Sequence, residues 1–218
     1  MSWDWSFVVA ILPALLSGVL VTVEVALVAS LLALSVGLLL AVVWSVGGPG
    51  TRVVLRGVQE LLRGVPIVVL LYFVFYSFPQ FGLTLSAFNV GVLVLGLVYA
   101  AFCSEVYRGA LITIPDGTRD ACKALGLSRF VTWSRVLIPI AVRKSAPALL
   151  NYVLQLFRQS ALLFAIGVPV LLSQAQVVGY QRFRYLEPYT VSGILYLLMN
   201  IPFVLVLHRY KTSGLRQV

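Results

Sequence analysis

The chain has 218 residues, 61% of them hydrophobic and 11% charged, with a formal net charge of +9. Soluble domains run at roughly 45–50% apolar and about 25% charged, so this chain cannot clothe itself in a water-compatible surface, and disorder, which needs low hydrophobicity, is excluded too. An integral membrane protein remains, with room for roughly four to six helical spans at ~20 residues each.

Residues 3–16 are aromatic and apolar around Asp4 and Pro13. Trp3, Trp5 and Phe7 suit the headgroup level, which predicts an interfacial segment, and no basic region marks a cleavable signal. A first span is predicted over 18–44, with Glu24 as its one charge, either an intramembrane acid or a residue near the outer interface. Gly47-Gly48-Pro49-Gly50 breaks that helix. Arg52, Arg56, Glu60 and Arg63 lead into a second span over 58–78, which Pro79 and Gly82 end. A third span covers 88–112 and carries Glu105 and Arg108, which are spaced i, i+3 and can pair as a structural ion pair. Arg63 can then snorkel to the inner interface or pair with Glu105.

Residues 115–135 form the one long polar block. A fourth span runs over 136–157 past Pro139 and Pro147, a mixed stretch follows to 188, and a fifth span covers 189–207 before His208, Arg209, Lys211 and Arg216. Cys103 and Cys122 build neither a disulfide framework nor a metal spacing, so no metal and no cofactor is expected. Five spans put the termini on opposite sides. Thirteen of the sixteen basic residues then fall on one side, and only Arg158, Arg182 and Arg184 on the other. Lys and Arg stay cytoplasmic, so the N-terminus is placed outside and the C-terminus in the cytoplasm. Nucleic acid is excluded as a partner, because these charges share no soluble domain.

Within the polar block, Asp116 or Thr118 can cap a helix, with Asp120 in its first turn. Gly126 suits the left-handed position that ends it, and Ser128 can cap the next. Two short helices with a tight turn are expected, with small Ala121 and Ala124 on one and bulky Phe130 and Trp133 on the other. Such apolar faces bury either against the protein's own helix ends or in a groove on a cytoplasmic partner.

Asp120-Ala121-Cys122, three residues, Gly126, nine residues, then Val136-Leu137-Ile138-Pro139 resembles the EAA loop of ABC-importer permeases: Glu-Ala-Ala, three residues, Gly, nine residues, Ile-x-Leu-Pro. The departures are Asp120, Cys122, Val136 and Ile138, each close in size or charge to the family residue. Arg63-Gly64-Val65-Pro66, Glu105-Val106-Tyr107-Arg108-Gly109 and Ile166-Gly167-Val168-Pro169 with Leu171-Leu172 are similar to segments of the polar amino-acid subfamily, which serves histidine, glutamine, arginine, opines and similar solutes.

The resemblance spans essentially the whole chain. It implies an all-α, five-helix transmembrane domain of the type I importer fold in the cytoplasmic (inner) membrane of a prokaryote. Membrane lipid surrounds it, and an identical or homologous permease subunit pairs with it. A cytoplasmic ABC ATPase dimer would grip the EAA coupling helices through Asp120, Ala121, Gly126, Phe130, Trp133 and Pro139. An extracytoplasmic solute-binding protein would deliver the small-molecule solute. The chain has no Gly-x4-Gly-Lys-Ser/Thr phosphate loop, so it is not expected to be an enzyme.

The same resemblance places Asn151 to Ser160 along the solute path. Tyr152 stands where the family has Glu, Arg158 for its Lys and Gln159 for its Asp. Two acids that would hold a cationic side chain are gone, while Arg158 can hold a carboxylate. Tyr152, Gln155, Arg158, Gln159 and Ser160, with Tyr72 and Tyr76, are the expected path residues. The aromatics Tyr72, Phe75, Tyr76 and Tyr152 either meet a delocalised cation such as ectoine or simply pack. A neutral or zwitterionic solute is favoured over arginine or lysine. The competing class is a stand-alone secondary transporter or channel. Five spans allow it no inverted repeat of the usual kind, and it would have no need of an exposed helix pair.

Overall fold

The computed structural model describes residues 3–214 and is helical almost throughout. Arg216 lies outside the described residues, as do the side chains of His208, Arg209 and Lys211.

Helix α1 (Trp5–Val46) is one uninterrupted run of 42 residues. Asp4 starts it, its carboxylate accepting the amides of Ser6 at 2.9 Å and Phe7 at 3.2 Å. Its first turns are not the separate interfacial segment expected at 3–16. Ile11 and Leu15 are buried against Leu171, Ala175 and Val178 of α8 (Leu171–Arg182), and that packing carries the helix past Pro13.

The span expected over 58–78 is two helices. α2 (Pro49–Gly64) begins with Pro at its first position after the Gly47-Gly48 break, and α3 (Ile67–Ser77) meets it at 101°. Pro66 forces Val65 into extended backbone, at φ −89° and ψ 132°, so the helix cannot continue through it. α3 spans only ~17 Å. It runs on as a 3₁₀ turn (Phe78–Phe81) that closes at left-handed Gly82.

α4 (Ala87–Ile112) is capped by the Ser86 hydroxyl and lies at the centre of the fold. α5 (Asp116–Ala124) and α6 (Arg129–Val131) follow. From α6 the chain stays helical through a π-helical turn (Thr132–Leu137), α7 (Ile138–Gln159) and a 3₁₀ stretch (Ser160–Ile166). The fourth span therefore has no break from the second short helix. The wider π ring accommodates Pro139 in the first turn of α7. Gly167 at φ 80° ends this run, and Pro169 leads into α8; this is the local meaning of Ile-Gly-Val-Pro. α9 (Leu186–Gly214) completes the chain.

Among the described residues, three helical runs are long and apolar enough to cross a membrane, at 5–46, 87–112 and 129–166; the sharply bent α2–α3 pair adds a fourth only where its two halves count as one broken span.

Small residues fix the core. Ala26, Ala29, Ala33, Gly37 and Ala41 form a buried stripe along α1, and α4 meets α1 through Gly96, Ala100 and Cys103. A Cβ added at Gly37 would sit 2.8 Å from the Cys103 Cβ, and one at Gly96 would sit 2.5 Å from Leu32 Cδ2. Lipid tails give apolar helices no reason to associate, so close backbone approach does that work.

Polar contacts between distant elements add to this packing. The Thr22 hydroxyl of α1, itself donating to the Gly18 carbonyl at 2.7 Å, accepts the Leu171 amide at 2.9 Å and so caps α8 from another helix. Near the start of α1, Arg184 donates to Asp4 at 3.1 Å, pairs with buried Glu187, and lies 4.8 Å over the Phe7 ring. Hydrogen bonds from the Ser6 side chain and the Phe7 amide hold the Asp4 carboxyl well below the usual carboxylate range, at about 2.

Gly37→Val is expected to cost about 1–3 kcal/mol through overpacking of the α1–α4 seam. Gly109→Ala, whose added Cβ meets nothing within 4 Å, should gain about 0.5–1 kcal/mol from helix propensity. Thermal unfolding of both variants in detergent checks the contrast; an unchanged Gly37→Val midpoint would mean the seam is not tight.

Candidate functional site

The polar block builds a hairpin at one end of the bundle. α5 is preceded by Pro115 with no side-chain cap, so neither Asp116 nor Thr118 caps it, and Asp116 sits in the first turn instead. The C-terminus closes in a Schellman motif: Gly126, at φ 66°, donates to the Lys123 carbonyl and Leu127 to that of Cys122. Ser128 caps the next helix, its hydroxyl accepting the Val131 amide at 3.3 Å. Asp120 is exposed and pairs with Lys123 at 2.9 Å, and Ala121 is exposed beside it.

The hairpin is anchored to the bundle at its base. Ile114 and Cys122 are buried. Arg119 donates to the Leu111 carbonyl at 3.4 Å and Lys144 to that of Thr113 at 3.2 Å, so one cation of the block and one of α7 satisfy the end of α4. The apolar pair expected at Phe130 and Trp133 is divided. Trp133 is half-buried against the main core, whereas Phe130 is 80% exposed and Leu125 75% exposed at the tip. A groove of about 300 Å³ beside Trp133 is lined by Arg119, Lys123 and Arg129.

The stretch from Asn151 to Ser160 is also divided. Gln155 and Gln159 line a cleft of about 330 Å³ against the α2–α3 break, with Arg63, Pro66, Tyr99 and Phe102 opposite. Tyr152 does not line the cleft but stacks on Phe102, with centroids 5.3 Å apart and planes at 19°. Arg158 lies about 100° around the helix from Gln159. It enters a separate cleft of about 490 Å³ beside α9, donating to Asn200 Oδ1 at 3.4 Å. Ser160 is wholly buried, its hydroxyl donating to the Phe157 carbonyl, so it faces neither cleft. Tyr72 and Tyr76 are exposed on α3, their rings 5.8 Å apart.

The charged residues sort locally. Glu105 and Arg108 pair along α4, and Arg108 also lies 4.8 Å from the Trp44 ring. Arg63 pairs with Glu60 at 2.7 Å, not with Glu105, and lies 5.9 Å from the Phe102 ring. Glu24 is exposed midway along α1. Residues that the sequence did not single out include Gln59, buried and donating to Ser104 at 2.9 Å, and the cleft residues Tyr99 and Phe102. The polar Gln on an amphipathic helix and the aromatics three apart on α4 are the only signals that point to them.

Residues 33–211 match the family model described as binding-protein-dependent transport system inner membrane component. The chain is 33% identical over 208 residues to a probable amino-acid ABC transporter permease protein, y4tG, of Sinorhizobium fredii, covering 92% of this chain and 89% of that one. It is 31% identical over 213 residues to the glutamine transport system permease protein GlnP of Escherichia coli, covering 97% of each. A solved amino acid ABC transporter with histidines superposes with a TM-score of 0.86 at 27% identity, over 98% of this chain and 100% of that one. An inward-facing MetNI methionine ABC transporter shares the fold at a TM-score of 0.65 and 19% identity, over 95% of this chain and 99% of that one.

The left-handed backbone at Gly126 meets open space, so strain and not crowding limits that position. Gly126→Val is expected to loosen the hairpin by about 1–2 kcal/mol, and Gly126→Asn by much less. Hydrogen exchange across residues 116–137 reads this directly, and equal protection in the two variants would remove the Schellman turn as the hairpin's organiser.

Proposed function

Because the chain belongs to the family of binding-protein-dependent transport system inner membrane components, we propose that it is the permease subunit of an ATP-driven importer for a polar amino acid or a related small zwitterion. α9 serves as the fifth crossing, the N-terminus lies outside, and the α5–α6 hairpin lies in the cytoplasm. The partners are a second permease subunit, identical or homologous, two ATPase subunits below and a solute-binding protein above. ATP hydrolysis belongs to the ATPases.

The observation that carries this reading is the hairpin: Leu125 and Phe130 stand exposed on a tip whose base is tied into the ends of α4 and α7. An exposed aromatic on a rigid support is a docking anchor, and a push on it is transmitted to the spanning helices because its base cannot move without them. Asp120, Ala121 and Gly126 shape the tip, while Trp133 and Pro139 join it to the bundle.

The cleft at the α2–α3 break supports the solute class. Its polar side chains are the amides of Gln155 and Gln159 and the guanidinium of Arg63, among aromatic rings, with no acid lining it among the described residues. Amides and a guanidinium hold a carboxylate and neutral polar groups. A cationic side chain finds no carboxylate there, only ring faces and amide oxygens. Tyr152 supports Phe102 of this wall, and Arg158 in the neighbouring cleft offers a second carboxylate contact. Tyr72 and Tyr76, exposed on α3, face outward for the paired subunit or the path.

In proteoliposomes holding the permease with its ATPase, Phe130→Ala is expected to weaken ATPase binding by about tenfold and to lower ATP-driven uptake in proportion. Unchanged binding would remove the hairpin as the docking site. In the same vesicles a glutamine-like or ectoine-like zwitterion should outcompete arginine, and Gln159→Glu should narrow that preference. Preferential arginine uptake by the unaltered complex would overturn the solute class while leaving the importer reading intact.

A further inference from the structure

Helix α2 divides into three sectors. Leu55, Leu62 and Gln59 face the bundle, Gln59 bonding to Ser104 of α4. Arg56 and Glu60 stand exposed on the next sector. On the third, Val53, Val54, Val58 and Leu61 form an apolar face left exposed by the described residues, with Val54 65% and Leu61 59% exposed. A helix with protein on one side, charge on the second and bare apolar surface on the third matches a helix lying in a membrane–water interface. Its direction agrees, since α2 turns 101° away from α3 at Val65–Pro66. So does its neighbour: Arg52 donates to the Trp44 carbonyl at 3.2 Å and lies 4.8 Å from the Trp44 ring, and indoles favour the headgroup level.

We propose that α2 is an interfacial helix that seats Val53, Val54, Val58 and Leu61 in the acyl boundary and binds anionic phospholipid headgroups through Arg52 and Arg56. Charge decides the lipid: α2 carries Arg52, Arg56 and Arg63 against Glu60, and Glu60 is engaged by Arg63. Arg52 and Arg56 thus present net positive charge at the level of the phosphates. That the leaflet is the cytoplasmic one rests on the orientation proposed above. Val54, Val58 and Leu61 share one side of the helix at i, i+4 and i+7, which gives the wedge its continuous edge.

The test places nitroxides on the full chain in phosphatidylcholine vesicles with and without phosphatidylglycerol, using Val54→Cys, Val58→Cys, Leu61→Cys, Arg56→Cys and Glu60→Cys, with Cys103 and Cys122 replaced by Ala. Labels at 54, 58 and 61 should collide with oxygen far more than with a water-soluble nickel chelate, and labels at 56 and 60 the reverse. Arg56→Gln in the native-cysteine chain should lower phosphatidylglycerol enrichment around the protein by roughly fivefold. High nickel accessibility at 54, 58 and 61 would overturn the proposal, as would low accessibility to both probes, which marks a second protein subunit on this face. An enrichment indifferent to Arg56 would overturn its lipid selectivity. An impermeant thiol reagent applied from one side tests the orientation separately: labelling of Arg56→Cys and Ser128→Cys from opposite sides sinks the topology, whereas the collision data judge the interfacial seat.

Discussion

Close contact between α1 and α4 is the constraint on which the rest of the molecule depends. In a bilayer, leucine gains nothing by leaving lipid for protein, so two helices stay together only where their backbones come near enough for dense van der Waals contact. The Ala and Gly stripe of α1, with Gly37 against Cys103 and Gly96 against Leu32, supplies that approach. Everything functional hangs from this pair. α7 packs on α4, α8 and α9 pack on the first half of α1, and α2 is held against α4 by Gln59 and Ser104.

Against that rigid pair, the departures from regular helix lie at the cleft and at the foot of the hairpin. The Val65–Pro66 break opens a cleft and exposes helix-end backbone beside Gln155 and Gln159. The π turn before Pro139 lets one helical run pass from the hairpin into the bundle. Both are places where the regular α-helical hydrogen-bond pattern is broken or shifted in register. Such interruptions persist in a membrane protein only where protein or a water-filled cavity receives the freed groups. The hairpin tip and the cleft are thus joined through α7, which begins at one and carries Gln155 and Gln159 to the other.

What could be read from the sequence was local in origin. The apolar content announced helices in lipid. Gly126 and Ser128 declared a turn and a cap because both signals act within a few residues, and Glu105 with Arg108 declared a pair for the same reason. Contacts across the fold were not legible. Arg63 could snorkel or pair with Glu105 as far as the sequence told, and only folding showed that it pairs instead with Glu60, a neighbour on its own helix. The run from Asn151 to Ser160 reads as one polar cluster along the chain, yet the helix distributes it to two clefts and a buried core position. Residues 3–16 read as a separate interfacial segment, yet the packing of Ile11 and Leu15 on α8 carries one helix straight through Pro13. Trp133 and Phe130 read as one apolar face with two possible fates, and the continuity of the π turn with α7 draws Trp133 alone into the core.

The Thr22 cap has a bearing on how such a chain comes to exist. Leu171 is the first residue of α8, and its amide hydrogen finds its acceptor on a helix 149 positions earlier. During synthesis α1 enters the membrane long before α8 is made, and Thr22 is meanwhile content with the carbonyl of Gly18 on its own helix. When α8 arrives, its leading end is incomplete until it reaches that hydroxyl. The first helix to be inserted thereby holds a reserved berth for one of the last, and the order of assembly is written into a single threonine.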